Sequence, residues 1–314
     1  MRAGAGIAAG LVLLAALSLA IGATNLWSGP LDSGMVLAVS RIPRTLAAML
    51  AGAGLALAGV VVQQSVQNRL VEPGLTGTPE AAMLGLLAVT LLAPGAPLLA
   101  KMGVAALTAL LGTAGFFALS RHVPRRDPML LPLVGLIYAG ILGSIALGAA
   151  WATDLVQYLW SWQSGEFSGV LRGRYELLWL VAGMALLLYL LADRITLLGL
   201  GEDYARSLGL NYRQTLLMGL GIVALTTAVI VVSVGAMPFV GLVVPNLVSR
   251  WRGDNLRRNL PLVAAAGAGF VLAADVLGRL LRWPYEIPAA MVFAVFGAGL
   301  FLWLLNRPRV RHEG

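Results

Sequence analysis

Long apolar runs follow one another along almost the whole chain, separated by short segments that hold most of the charge. The runs cover residues 3–26, 45–62, 81–99, 102–119, 129–151, 177–192, 216–234, 239–248, 260–277 and 289–305. Most approach the ~20 apolar residues that carry a helix across a bilayer. In hydrocarbon a spanning segment must satisfy its own backbone groups, so the pattern predicts about ten membrane helices rather than open strands. The first run exceeds the ~7–15 apolar residues of a signal peptide and reads as a span. The run at 239–248 is too short for a simple span and follows Gly235-Ala236-Met237-Pro238. A broken or late-starting helix is expected there, with its freed backbone groups buried in protein.

The basic residues give the runs a direction. With the N-terminus in the cytoplasm, fifteen of the 22 lysines and arginines fall inside and seven outside. That asymmetry follows the positive-inside rule and predicts that both termini are cytoplasmic. The seven outer residues are Arg41, Arg44, Lys101, Arg172, Arg174, Arg279 and Arg282. The net charge of +8 is therefore a matter of topology, and no nucleic-acid partner is expected.

Composition removes most other function classes. The chain is 59% hydrophobic and 11% charged, against about 25% charged in a soluble domain. There is no cysteine, hence no disulfide framework or thiolate chemistry. Zinc-protease, phosphate-loop and EF-hand patterns are missing, and His122 and His312, in Arg-rich segments, read as solvated loop residues. No catalytic residue, metal site or cofactor is expected. Asp275 is the one ionisable residue well inside a run, and Arg279 four positions on can pair with it on one helical face. An ion-driven carrier usually needs several buried ionisable groups, so the driving energy is expected to come from another chain. Gly140, Ser144 and Gly148 fall four apart, as do Gly54 and Ala58; such rows predict close packing seams, with a glycine-lined substrate path as the alternative. Tyr158, Trp160 and Trp162 lie in an outer segment and suit either an interfacial aromatic belt or a short helix beside the pathway.

Four segments carry more polar detail than a span requires. Arg41-Ile42-Pro43-Arg44-Thr45 opens one run, and Asn68-Arg69-Leu70-Val71-Glu72-Pro73-Gly74-Leu75-Thr76-Gly77 follows it. Later come Gly201-Glu202-Asp203-Tyr204-Ala205-Arg206-Ser207-Leu208-Gly209 and Phe239-Val240-Gly241-Leu242-Val243-Val244-Pro245-Asn246. In this order they resemble the permeases of the iron-chelate and cobalamin branch (FecCD type) of bacterial ABC importers. The corresponding family patterns are R-x-P-R-T, N-P-L-A-x-P-x-x-L-G, G-E-x-x-A-x-x-L-G and F-[IV]-G-L-[IV]-[VI]-P-H. The sequence departs from them at Arg69, where proline is commoner, and at Asn246, where histidine is usual.

The resemblance implies an all-α polytopic membrane protein of the type II importer permease architecture, with residues 1–314 forming a single permease domain in a bacterial cytoplasmic membrane. It implies a second permease subunit, identical or paralogous, two cytoplasmic ATPases and an external binding protein. The loop holding Gly201, Glu202, Asp203, Ala205, Arg206, Leu208 and Gly209 matches the element that couples the permease to its ATPase. Arg41, Arg44 and Arg279 match arginines that meet acidic groups of the binding protein. The implied cargo is a ferric siderophore; Tyr285-Glu286-Ile287-Pro288 and the short N-terminus lean towards the catecholate branch, with haem and cobalamin the neighbouring cargoes.

Overall fold

The computed structural model describes residues 2–22, 33–123 and 129–306. Its first half holds α1 (Arg2–Ala20), α2 (Ser33–Val36), α3 (Ile42–Val66), α4 (Thr78–Leu92), α5 (Leu98–Ser120), α6 (Leu130–Ala152) and α7 (Val156–Gln163). The second half holds α8 (Trp179–Leu190), α9 (Ala192–Leu198), α10 (Glu202–Ser207), α11 (Tyr212–Val234), α12 (Val240–Arg252), α13 (Leu256–Leu281) and α14 (Ala289–Asn306). No strand occurs among the described residues. Each of the ten apolar runs meets a helical segment. Among the described residues five helices are long and apolar enough to cross a membrane, and a sixth span results if α8 and α9 are taken as one bent pair.

Three differences from the apolar pattern have physical causes. The run at 81–99 is divided, because α4 stops at Leu92 and α5 starts at Leu98. Between them Pro94, Gly95 and Pro97 cannot continue a helix. The run at 177–192 is extended and bent by 69° between α8 and α9. No proline or glycine marks that bend. It turns α9 inward so that Ala192, Ile195 and Leu198 become fully buried, whereas Leu186 and Leu190 of α8 stay exposed. Finally, α2 and α3 form one rod of 34 residues interrupted by a π-helical turn at Leu37–Arg41. Pro43 has no N–H to offer the Val39 carbonyl one turn back. That carbonyl instead accepts the Arg172 N–H at 2.9 Å.

The rod containing α3 is the axis of the fold, packed against α1, α8, α11, α12 and α13. Two glycine pairs allow the closest crossings. Gly52 lies against Gly267 of α13, and Gly59 against Gly241 of α12, with no room for a Cβ at Gly52, Gly59 or Gly267. The expected Gly54–Ala58 seam is also buried, since a side chain at Gly54 would run into Val181, Thr226 and Ile230. The second row behaves differently. Nothing lies within 4 Å of a Cβ at Gly140 or Gly148, and Ser144 turns its hydroxyl back onto the Gly140 carbonyl at 2.8 Å. Within one chain that row packs nothing.

The short helix α12 begins part-way through the protein, after Phe239 in the left-handed region at φ 65°. Its buried first turn, whose N–H groups have no intrahelical partner, meets the linker between α3 and α4. Gln67 turns that linker back at φ 54°, and Glu72 then accepts the Phe239 N–H at 3.0 Å. A carboxylate at a helix N-terminus satisfies an orphan donor and complements the helix dipole. The freed backbone groups of the broken helix are thus buried in protein, as the run at 239–248 implied. Glu72 is 6% exposed and adds to Asp275 as a buried acid. Glu80, in the first turn of α4, is half-buried with its Oε2 shielded from solvent. Outside the long helices, α7 carries Tyr158 and Trp160 exposed while Leu159 is buried.

The two glycine environments predict opposite responses. Gly59→Leu should destabilise the protein by at least ~1–3 kcal/mol through overpacking, whereas Gly140→Ala should leave the melting temperature in detergent unchanged or slightly raised. Equal melting of the two variants would contradict the close α3–α12 crossing.

Candidate functional site

Because α3 and α13 run antiparallel against each other, the start of one meets the end of the other. Two groups of charged residues result, at opposite ends of the bundle. The first brings together Arg41 and Arg44 from the start of α3, Asp275 and Arg279 from the end of α13, and Glu286 from the following loop.

Asp275 is the centre of this group. Its Oδ1 takes Nη2 of Arg44 at 2.7 Å, and its Oδ2 takes Nη2 of Arg279 at 2.7 Å. The expected i, i+4 pair is therefore present, and a second arginine shares the same carboxylate. The other side of the Arg44 fork donates to Glu286, at 2.8 Å to Oε2 and 3.0 Å to Oε1. Arg279 continues towards α1, donating to the Ser18 and Ile21 carbonyls at 3.0 and 2.7 Å and to Ser18 Oγ at 2.8 Å. Arg41 donates to the Leu19 and Ala20 carbonyls at 2.7 and 2.8 Å. The last carbonyls of α1 have no intrahelical partner, and the helix dipole makes that end negative. Two arginines from other helices fill this role.

This geometry places the three arginines differently from the exposed basic surface that a docking role suggests. Arg41 and Arg279 are only 5% and 4% exposed, with donors directed at the interior. The Arg44 side chain is 13% exposed and that of Glu286 29%. Arg44 and Glu286 are thus the parts of the network that reach the surface. Sequence spacing shows the Asp275–Arg279 pair but not Glu286, whose partner lies 242 residues away.

The second group gathers at the other end of α3 and α13. Arg69 donates to Ser249 Oγ at 2.8 Å and to Asp254 at 2.6 Å, and Arg257 pairs with Asp193 at 2.5 Å. Asn246 Nδ2 donates to the Arg69 carbonyl at 2.7 Å. The two positions that depart from the family patterns are therefore in direct contact.

The Gly201–Gly209 loop lies on this side, joined to α3 by Gln67 Nε2 donating to the Gly199 carbonyl at 3.3 Å. Gly201 adopts φ 97° and Gly209 φ 80°, values that favour glycine, so the two residues bracket α10. Glu202 and Asp203 stand in its first turn. Glu202 and Arg206 pair at 2.6 Å across the exposed surface, an interaction worth only ~0.3–0.5 kcal/mol. Ala205 is fully buried, so its small size allows α10 to press against its own chain. The outward face instead shows Leu208, 62% exposed, and Tyr204, 73% exposed. These are four apart and neighbours on one helical face. Tyr204 is absent from the sequence-derived set; the i, i+4 apolar pair between bracketing glycines is the signal that would have found it. Of the histidines, His122 is exposed with Nδ1 3.1 Å from the Ala118 carbonyl, and His312 lies outside the described residues.

Removing one partner from a buried ion network leaves an uncompensated charge, which typically costs ~3–5 kcal/mol. Asp275→Asn should lower stability on that scale in detergent unfolding, and Glu286→Gln by ~0–1 kcal/mol because its carboxylate is partly solvated. The reverse order would displace Asp275 from the centre of the network.

Comparison with known proteins agrees with this architecture. The chain is 40% identical over 304 residues to the petrobactin import system permease protein YclN of Bacillus subtilis, covering 95% of this chain and 96% of the relative. It is 38% identical over 298 residues to the petrobactin import system permease protein FatD of Bacillus anthracis, covering 95% and 89%. A solved structure reported as an inward-facing metal-chelate type ABC transporter superposes with a TM-score of 0.81 at 27% identity, covering 96% of this chain and 97% of that one. The model of the FecCD transport family matches residues 6–307, and the chain belongs to that family.

Proposed function

We propose that this protein is the membrane-spanning permease subunit of an ATP-driven importer that brings an iron chelate, a ferric siderophore, across the bacterial cytoplasmic membrane. The observation that carries this reading is the full-length similarity to two petrobactin import permeases. The subunit itself performs no bond chemistry. It works with a second permease, identical or paralogous, two cytoplasmic ATPases and an external binding protein. Some ten membrane helices and two cytoplasmic termini complete the proposed topology.

The two charged ends give the mechanism a direction. On the cytoplasmic side, α10 presents Tyr204 and Leu208 to a groove of the ATPase, while buried Ala205 and the Gln67–Gly199 hydrogen bond transmit its displacement to α3. On the outer side, the Arg41, Arg44 and Arg279 platform receives acidic groups of the binding protein. Arg44 makes the contact, and Arg41 and Arg279 fix its base to α1. Such charge pairing steers association and weakens with salt. The two ends are linked by α3, whose backbone-close crossings with α12 and α13 let a tilt at one end act at the other.

Leu208→Glu changes an exposed side chain and should leave stability within ~0.5 kcal/mol of wild type. If Leu208 is a contact of hot-spot strength, association with the ATPase should weaken by about thirtyfold, corresponding to ~2 kcal/mol. Wild-type ATPase binding and stimulation by this variant would remove α10 from the contact. In vesicles reconstituted with all subunits, uptake of a labelled ferric siderophore should require ATP and persist when ion gradients are collapsed. Uptake that follows an ion gradient without ATP would overturn the proposal.

A further inference from the structure

Helices α13 and α14 enclose an open slot of about 590 Å³, within the ~300–1,000 Å³ typical of small-molecule sites. All its lining residues are glycine, alanine, aliphatic or aromatic. Phe270 and Leu277 come from α13, and Phe296, Leu300 and Trp303 from α14. A chelate or other polar solute entering this slot would lose hydration and gain no hydrogen bond in return. The lining suits a hydrocarbon chain.

The slot has a chemically distinct end. At Trp303, Arg250 of α12 places its guanidinium carbon 5.7 Å from the centre of the indole ring. Two residues on, Arg252 lies 5.7 Å from the ring of Trp251, which is 59% exposed. One arginine–tryptophan pair thus joins the last turn of α12 to α14 and a second lies within that turn, on the side that holds Arg69, Asp254 and Arg257. Tryptophan with arginine is the composition of a membrane–water interface. A basic pocket at the cytoplasmic end of membrane helices fits an anionic headgroup. From this charge complementarity, continuous with an apolar slot, we propose that α12, α13 and α14 form a binding site for an anionic phospholipid. One acyl chain lies in the slot beside Phe296, and the phosphate meets Arg250 and Arg252.

Selectivity at this site comes from the headgroup. An acyl chain leaving bulk lipid for the slot moves between two apolar surroundings and gains no hydrophobic free energy. Each basic residue near an anionic lipid surface favours it by about fivefold. Gly299, among the slot's lining residues, offers an independent probe. A Cβ there has nothing within 4 Å, so a side chain would enter the slot without disturbing the helices. The chain has no cysteine of its own, so Gly299→Cys would be a unique thiol.

The test reconstitutes the protein in vesicles of equal phosphatidylglycerol and phosphatidylcholine and weighs the lipids retained after extraction by native mass spectrometry. Wild type should retain phosphatidylglycerol in preference by about fivefold or more. The Arg250→Gln/Arg252→Gln double variant should bind the two lipids equally at an unchanged melting temperature. Gly299→Leu should lose bound lipid of both kinds; if it does not fold, the double variant decides. The proposal is overturned by equal retention of the two lipids in wild type, or by an undiminished preference in the double variant. It is equally overturned if Gly299→Cys forms a disulfide between two copies in the membrane, because the slot is then covered by a second copy.

Discussion

A backbone group that leaves a helix inside hydrocarbon has no water to turn to, and the organisation of this protein follows from that constraint. Three of its irregular points are closed by groups from elsewhere in the chain. The Val39 carbonyl, which Pro43 cannot serve, takes the Arg172 N–H. The first turn of α12 takes the Glu72 carboxylate, and the last carbonyls of α1 take Arg41 and Arg279. Irregular backbone at membrane depth is thus possible, and these three points become ties between elements distant in sequence.

The same logic accounts for the buried charge. Asp275 is 2% exposed, and an isolated carboxylate there would be very costly. Two guanidiniums share it, and one of them also stabilises the end of α1. The network holds α1, α3, α13 and the Glu286 loop together, with Arg44 and Glu286 at its surface. The opposite end is built more loosely, from exposed pairs such as Glu202–Arg206 and Arg257–Asp193 that contribute little stability. In the proposed function, the firmly tied group is the outer platform and the lightly held loop is the one that meets the ATPase.

Much of this was legible in the order of residues. The apolar runs located the helices, Gly235 to Pro238 marked the late start of α12, and glycines at 201 and 209 bracketed α10. These signals are local: run length, a missing N–H, a backbone angle that only glycine adopts easily. The bend between α8 and α9 was not legible, because no breaker residue causes it and the burial of Ile195 and Leu198 does. Glu72 stands beside a run rather than inside one, so hydropathy did not mark it as buried. Ala205 stands in the loop that the sequence pattern marked, but which side of α10 it faces depends on what α10 packs against.

The sequence by itself determined that the chain is a polytopic helical membrane protein of a recognisable transporter type. Bilayer thickness and the positive-inside bias act on short stretches that composition describes fully. The tertiary structure alone decided which polar groups answer one another. Asp275 meets Arg44 across 231 positions, and Glu72 meets Phe239 across 167. Such pairings arise only when α3 settles against α12 and α13, whose glycines let their backbones touch. Burial then makes each pairing obligatory, since a polar group without its partner would stand in a medium that cannot solvate it.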